Sequence, residues 1–198
     1  GSVGATDKLT VLTLDGGGTT TLDASSFVAT TVDIDNIIKL AASTVTVSGS
    51  GSVDFAQTID SSSGGTNALT VTSPASAFHG SVGATDKLTV LTVDGGGTTT
   101  LDGSSFVATT VDIDNIVKLA SSTTTVSGSG TVDFAQTVDS SSGGTNALTV
   151  TSPATAFHGS VGAADKLTVL TLDGGGTTTL DASSFVSTTV DIDNIIKL

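Results

Sequence analysis

The stretch LTVTSPASAFHGSVGATDKLTVLTV, residues 69–93, crosses the boundary between two copies of one sequence. Residues 1–79 return as 80–158 with eight substitutions, and the same text starts again at Gly159 and runs to Leu198. Self-similarity at a fixed period marks each copy as one unit of an array. No linker separates the copies. Phe78-His79-Gly80-Ser81-Val82 reads as a strand running straight through the join, with Phe78, Gly80 and Val82 on one face. The units 1–79, 80–158 and the partial 159–198 therefore read as one continuous solenoid.

Five of the substitutions keep strand preference and approximate volume: Leu14 becomes Val93, Ile38 becomes Val117, Ser52 becomes Thr131, Ile59 becomes Val138 and Ser76 becomes Thr155; the other three are Ala24 to Gly103, Ala42 to Ser121 and Val45 to Thr124. β-Branched residues dominate, and Glu, Arg and Met are absent, so strands are favoured over helices. Apolar residues make up 37 % of the chain and are regularly placed, which excludes a disordered segment. The net charge of −13 argues against nucleic-acid partners and anionic membrane surfaces. Cysteine is absent, so no disulfide framework exists. No apolar run reaches a membrane span, so no membrane insertion is expected in this segment. Without an initiator Met or a signal peptide, and ending partway through a copy, the sequence reads as an internal window of a longer exported chain.

Along one copy, short apolar–polar alternations are punctuated by turn residues. Leu9 to Leu14 is apolar on parts of both faces, and Asp15-Gly16-Gly17-Gly18 turns. In Phe27 to Ile34, Val28, Thr30, Val32 and Ile34 fall on one face. Ile38 pairs with Leu40, Val45 with Val47, and Leu69 with Val71. Val53, Phe55, Gln57 and Ile59 share another face. Ser61 to Asn67 is the longest polar loop, and Pro74 bars a ladder donor at its position. A single helical turn capped by Asp35 is opposed by the β-branched pair Ile37-Ile38. The phenylalanines, at 27, 55, 78, 106, 134, 157 and 185, predict a core ladder of Phe27, Phe55, Phe78, Phe106, Phe134, Phe157 and Phe185, with about three rungs of about 26 residues per copy. Four rungs of about 20 residues is the competing count.

The fold class is thus all-β: a parallel β-solenoid, with tandem β-sandwiches as the alternative. The sandwich would use Leu9–Leu14 and Thr19–Leu22 as a hairpin. It lacks linkers between copies and bulky aromatic anchors.

The runs Gly51-Ser52-Val53-Asp54-Phe55, Asn67-Ala68-Leu69-Thr70-Val71, Ala77-Phe78-His79-Gly80-Ser81-Val82-Gly83 and Leu88-Thr89-Val90-Leu91-Thr92-Val93 resemble the large β-strand-repeat exoproteins of bacteria, similar to filamentous-haemagglutinin-type and autotransporter adhesins. The resemblance implies a right-handed parallel β-helix forming an extracellular stalk or filament at the cell surface. Its partners would be copies of itself, by repeat stacking or lateral assembly, and surface glycans. It carries over no catalytic residue, and no enzyme activity is expected.

Some residues invite chemistry. Asp33, Asp35 and Asn36 are the best ligand candidates, with Asp112, Asp114 and Asn115 and with Asp191, Asp193 and Asn194 as their copies. Asp-x-Asp on a strand projects two hard oxygen ligands from one face, as calcium requires. The spacing is neither that of an EF-hand nor that of a Gly-rich calcium β-roll, and solubility and edge protection explain the same residues. No other cofactor is expected. Lys39 is read as an offset to the local charge of Asp35. His79 and His158 are read as packing at strand ends beside Phe78 and Phe157, not as members of a nucleophilic triad. Asp15-Gly16-Gly17-Gly18 lacks the Lys and helix of a phosphate loop. Thr44-Val45-Thr46 and Thr70-Val71-Thr72 resemble the Thr-x-Thr pairs of ice-binding solenoids. A calcium-, glycan- or ice-binding module is therefore the alternative function to a structural stalk.

Overall fold

A computed structural model describes residues 1–181 and 184–198. Among these residues every regular element is a strand, and every pairing between strands is parallel. Leu9–Leu14 and Thr19–Leu22 do not form a hairpin. Each pairs instead with a strand one turn further on, Ser26–Ile34 and Ile37–Leu40. The chain is a β-solenoid of three faces, and the sandwich is excluded by its pairing.

Each face can be followed as a column of stacked residues. On the first face Val3 is succeeded by Phe27, Val47, Val71, Val93, Ile113, Phe134, Phe157 and Leu180. On the second, Leu14 is succeeded by Ile34, Phe55, Phe78, Leu101, Leu119 and Ser140. On the third, Thr20 is succeeded by Ile38, Ile59, Val82, Phe106, Val126 and Val150. The steps along these columns average about 22 residues, so the chain makes about nine turns. The expected rung of 26 residues is too long. The phenylalanine spacing misled because three phenylalanines are shared among more than three turns.

One copy contains eleven strand segments. Eight strands lie between Leu9 and Phe78. Two of them, Ser26–Ile34 and Thr44–Phe55, bend round a corner and serve two faces each. Val82, at the join, supplies the last segment. Eleven segments on three faces make three and two-thirds turns. The repeat therefore does not close on a whole turn, and Leu14, on the second face, has its copy Val93 on the first.

The corners correct several readings of facing. Where Ser26–Ile34 turns, the register slips between Ala29 and Thr31. The buried set is consequently Phe27, Ala29, Val32 and Ile34, while Val28 and Thr30 lie outside it. Gln57 likewise is an exposed corner residue, not a core neighbour of Phe55 and Ile59. The join is also a corner. Gly80 lies so close over the preceding turn that a Cβ there would sit 2.3 Å from the Gln57 carbonyl carbon. The pairs Ile38 with Leu40, Val45 with Val47, and Leu69 with Val71 are buried as expected.

The core is one continuous apolar column from Leu22 to Leu172. Its phenylalanines form short stacks instead of an unbroken ladder. Phe55 and Phe78 lie face to face, 5.2 Å apart on the second face, and Phe134 and Phe157 do so at 5.0 Å on the first. Phe106 meets Phe78 edge-on at 6.0 Å, and Phe185 meets Phe157 at 5.9 Å. Phe27 is buried beneath Val3 without a phenylalanine neighbour among these ring contacts. No helix is long and apolar enough to cross a membrane.

Candidate functional site

The proposed ligand residues divide between the inside and outside of the solenoid. Asp33 and Asp112 project from strands and stand level with Asp54 and Asp133 one turn on. This stacking holds carboxylates side by side, about 4.8 Å between strands. The Asp112 carboxyl is raised above the ordinary carboxylate range, first by partial burial and then by the charges of Asp114, Asp133 and Asp94. Like charges directly opposite one another are destabilising.

The asparagines do not join these carboxylates. Asn115 is buried, donating from Nδ2 to the Ser73 carbonyl at 3.1 Å and to Thr99 Oγ1 at 3.0 Å, while its Oδ1 accepts from the Gly97 amide at 3.3 Å. Asn194 repeats this with Thr178 and Gly176, and Asn36 donates to Thr20 at 2.7 Å. The asparagine therefore staples a corner to the turn before it. Asp35, Asp114 and Asp193 stay at the surface corner, and Asp191 is exposed on the last strands. Among the described residues no group of three or more His, Cys, Asp or Glu side chains is arranged to hold a metal ion.

Two charged clusters were not read from the sequence. Lys39 reaches forward along the axis, not back to Asp35: its ammonium lies 3.6 Å from Asp60 and 3.0 Å from Asp86. Asp60 is buried and also accepts from the amides of Thr85 and Asp86 at 3.0 and 3.2 Å. Lys118, Asp139 and Asp165 repeat the cluster at 3.7 and 3.3 Å. Hydrogen bonding to Asp86 and the charge of Asp60 outweigh burial and raise Lys39 above its ordinary value of 10.5.

The histidines form the second cluster. His79 stands at the end of Ala75–Phe78, but its ring spans two turns, with Nε2 3.4 Å from Asp54 and Nδ1 3.2 Å from Asp102. His158 spans Asp133 and Asp181 at 3.3 and 2.9 Å. Both ring nitrogens face carboxylates, so neither histidine is placed to activate a serine. The only sequence signal for either cluster was the recurrence of each charged residue in every full copy.

The threonine pairs stack over a few turns only. Thr46, Thr70 and Thr92 are level on the first face, and Asp112 then takes the row over. An open groove of about 420 Å³ follows on that face, floored by Ala154 and Ala156 and flanked by Thr110, Asp112, Thr131 and Asp133.

No family profile matches the chain, and no solved structure matches it. The chain is similar to the protein named outer membrane protein A of Rickettsia rickettsii, with 29 % identity across its whole length. It spans 8 % of that protein's length. A surface-protein relative and a β-solenoid are together compatible with an adhesin-like repeat segment.

Proposed function

We propose that this chain is a structural segment of a bacterial surface protein, a stiff stalk that sets the distance between the cell and whatever the protein meets. The observation that carries the reading is the continuity of the core: columns of valine, isoleucine and phenylalanine pass through both joins without interruption. A rod of this kind resists bending wherever it is pushed. Among the described residues, Lys39 clamps its turn to those of Asp60 and Asp86, and His79 clamps its turn to those of Asp54 and Asp102. The similarity to a rickettsial outer membrane protein supports a cell-surface location. Self-association along or beside the rod is the partner this reading supplies, and no catalytic role is proposed.

The test is to add or delete whole repeats in the full surface protein and measure its projection by electron cryo-tomography. Three and two-thirds turns at about 4.8 Å advance the rod by about 18 Å per repeat. Attachment per exposed molecule is expected to be independent of repeat number. Attachment that falls in proportion to deleted repeats would make the repeat itself the binding module. A calcium-binding module finds paired carboxylates, Asp33 with Asp54 and Asp112 with Asp133, as its support. It predicts a rise in melting temperature on calcium titration, which the stalk does not.

A further inference from the structure

We propose that Lys39 and Asp60 are a self-condensing pair, joined through a side-chain amide that fastens one turn covalently to the next, and that Lys118 and Asp139 are its counterpart in the second copy. Lys39 stands directly opposite Asp60 on the neighbouring strand, as Lys118 does opposite Asp139. Amide formation needs an amine, an enclosed carboxyl group and a proton carrier touching the amine, and all three meet here. The Lys39 side chain is 30 % exposed, whereas that of Asp60 is only 6 % exposed. The bend at residues 83–86 folds over Asp60, and the Thr85 and Asp86 amides both donate to its Oδ1, at 3.0 and 3.2 Å. Two backbone donors on one carboxyl oxygen form the arrangement that holds an oxyanion in acyl transfer. The other oxygen, Oδ2, faces the Lys39 ammonium at 3.6 Å. That ammonium donates to Asp86 Oδ2 at 3.0 Å. In the second copy the Ala164 and Asp165 amides donate to Asp139 Oδ1 at 3.1 and 3.4 Å, and Lys118 donates to Asp165 Oδ2 at 3.3 Å. Lys8 and Lys87 differ: they reach the hydroxyls of Ser50 and Ser129.

The step balances within the cluster and needs no outside reagent. The Lys39 ammonium passes a proton to Asp86, and the freed nitrogen lone pair attacks Asp60 Cγ. The C=O electron pair moves onto Oδ1, where the two amides hold the negative charge, and Asp86 hands its proton to Oδ2. A second proton then travels from nitrogen through Asp86 to Oδ2. The pair on Oδ1 restores the C=O bond, the Cγ–Oδ2 bond breaks, and Oδ2 leaves as water. Of the three ammonium protons one stays on the amide nitrogen and two leave with the water, and Asp86 is a carboxylate again. Groups held as strand neighbours react with effective molarities of about 10⁵ M or more, which favours condensation. The pairing that raises Lys39 keeps its amine largely protonated, so the bond accumulates slowly and a newly folded chain carries the ion cluster.

The test is intact-mass spectrometry of the full chain, denatured after it has folded and been incubated at physiological temperature. Cysteine is absent, so no disulfide contributes to the mass. Each bond removes one water, about 18 Da, and the two bonds together remove about 36 Da. Trypsin is then expected to cut after Lys8, Lys87 and Lys166 but not after Lys39 and Lys118, and fragmentation should place the links at Asp60 and Asp139. The double variant Lys39→Arg with Lys118→Arg keeps both charges but lacks the amines, and its mass should equal that of its sequence. The double variant Asp86→Asn with Asp165→Asn keeps the backbone amides that face Oδ1 and removes the proton carriers, and it should fold by circular dichroism yet keep both waters. A wild-type mass that stays at the full sequence value, with normal cleavage after Lys39 and Lys118, would overturn the proposal. A deficit that survives in the arginine variant would also overturn it, by placing the water loss at cyclised aspartates. Equal deficits in the asparagine variant and the wild type would overturn the route through Asp86.

Discussion

Glycine 97 offers a substitution whose cost depends only on what lies beneath it. Gly18, Gly97 and Gly176 occupy the same place in the identical local sequence Asp-Gly-Gly-Gly-Thr-Thr-Thr-Leu. None of the three has the left-handed φ that would itself demand glycine. A Cβ on Gly97 would stand 1.7 Å from the Pro74 carbonyl oxygen and 2.3 Å from its carbon, and on Gly176 it would stand 1.8 Å from the Pro153 oxygen. A Cβ on Gly18 would meet nothing within 4 Å, because in this chain no turn lies under it. Backbone cannot swing aside as a side chain can, so the stacked corners must separate by more than 1 Å. That strains the bonds from the Thr98 amide to the Pro74 carbonyl and from the Ile116 amide to the Gly97 carbonyl, both 2.9 Å long.

Losing one or two such bonds costs about 1–3 kcal/mol, and overpacking adds about 1–3 kcal/mol. Gly97→Ala and Gly176→Ala should therefore each destabilise by about 2–5 kcal/mol, whereas Gly18→Ala should cost less than about 0.5 kcal/mol. At roughly 2–4 °C per kcal/mol for a chain of this size, the first two should lower the melting temperature by about 4–20 °C. Circular dichroism melts of the three single variants give the comparison. Hydrogen exchange at the Thr98 amide locates the damage, since an array can open locally. Equal losses from Gly18→Ala and Gly97→Ala would refute the reasoning, because only independently folded copies treat the two alike.

Other outcomes follow from the clamps and the core. Asp60→Ala removes the acceptor for two part-buried amide hydrogen bonds and one partner of Lys39, and should cost about 1–3 kcal/mol in urea denaturation, with Asp60→Asn costing less. Phe78→Ala, which empties the most fully enclosed ring in the first copy and unstacks Phe55, should cost about 3–5 kcal/mol. The Lys39 value is raised in the folded chain, so its contribution is present below 10.5 and is lost as pH climbs through the higher folded value. Lys39→Gln should flatten the alkaline decline in melting temperature. The Asp112 carboxyl is raised, so its ionised form is the disfavoured one in the fold and stability gains as pH falls through the raised value. Asp112→Asn should stabilise by roughly 0.2–1 kcal/mol at pH 7 and lose that advantage in acid.

The strands were legible because alternation survives within each face: Val45 and Val47, or Leu69 and Val71, point inward as their spacing says. Alternation fails at corners, and a three-faced solenoid has a corner every few residues. Val28 and Thr30 were assigned inward by counting twos through the slip between Ala29 and Thr31. The number of turns was hidden for a related reason. A residue's vertical neighbour is never its copy, so the period of 79 carries no direct record of the turn of about 22. Lys39 could not be matched to Asp60 and Asp86, 21 and 47 residues onward, without that turn length. The asparagines were grouped with the aspartates by adjacency, whereas one residue's difference at a corner separates a surface carboxylate from a buried amide.

Although a residue never stacks on its own copy, each copy keeps equivalent vertical neighbours, so a substitution between copies is judged against the same surroundings. Val45 stacks on Leu69 and its copy Thr124 stacks on Leu148, so the hydroxyl of Thr124 enters a wholly apolar column. Thr124 is fully buried and its Oγ1 has no hydrogen-bond partner. A buried, unpaired hydroxyl costs about 1–3 kcal/mol by mutational measures. Thr124→Val restores the residue that the first copy already uses, with nearly the same volume, and should raise stability by about 1–3 kcal/mol. Val45→Thr should lower it by a similar amount. Because the two sites are in different turns and share no neighbour, the paired change Val45→Thr with Thr124→Val should leave the global stability close to the starting value. If Thr124→Val is neutral or harmful, the hydroxyl has found an acceptor, and the second copy's column is not the dry apolar stack that its burial describes.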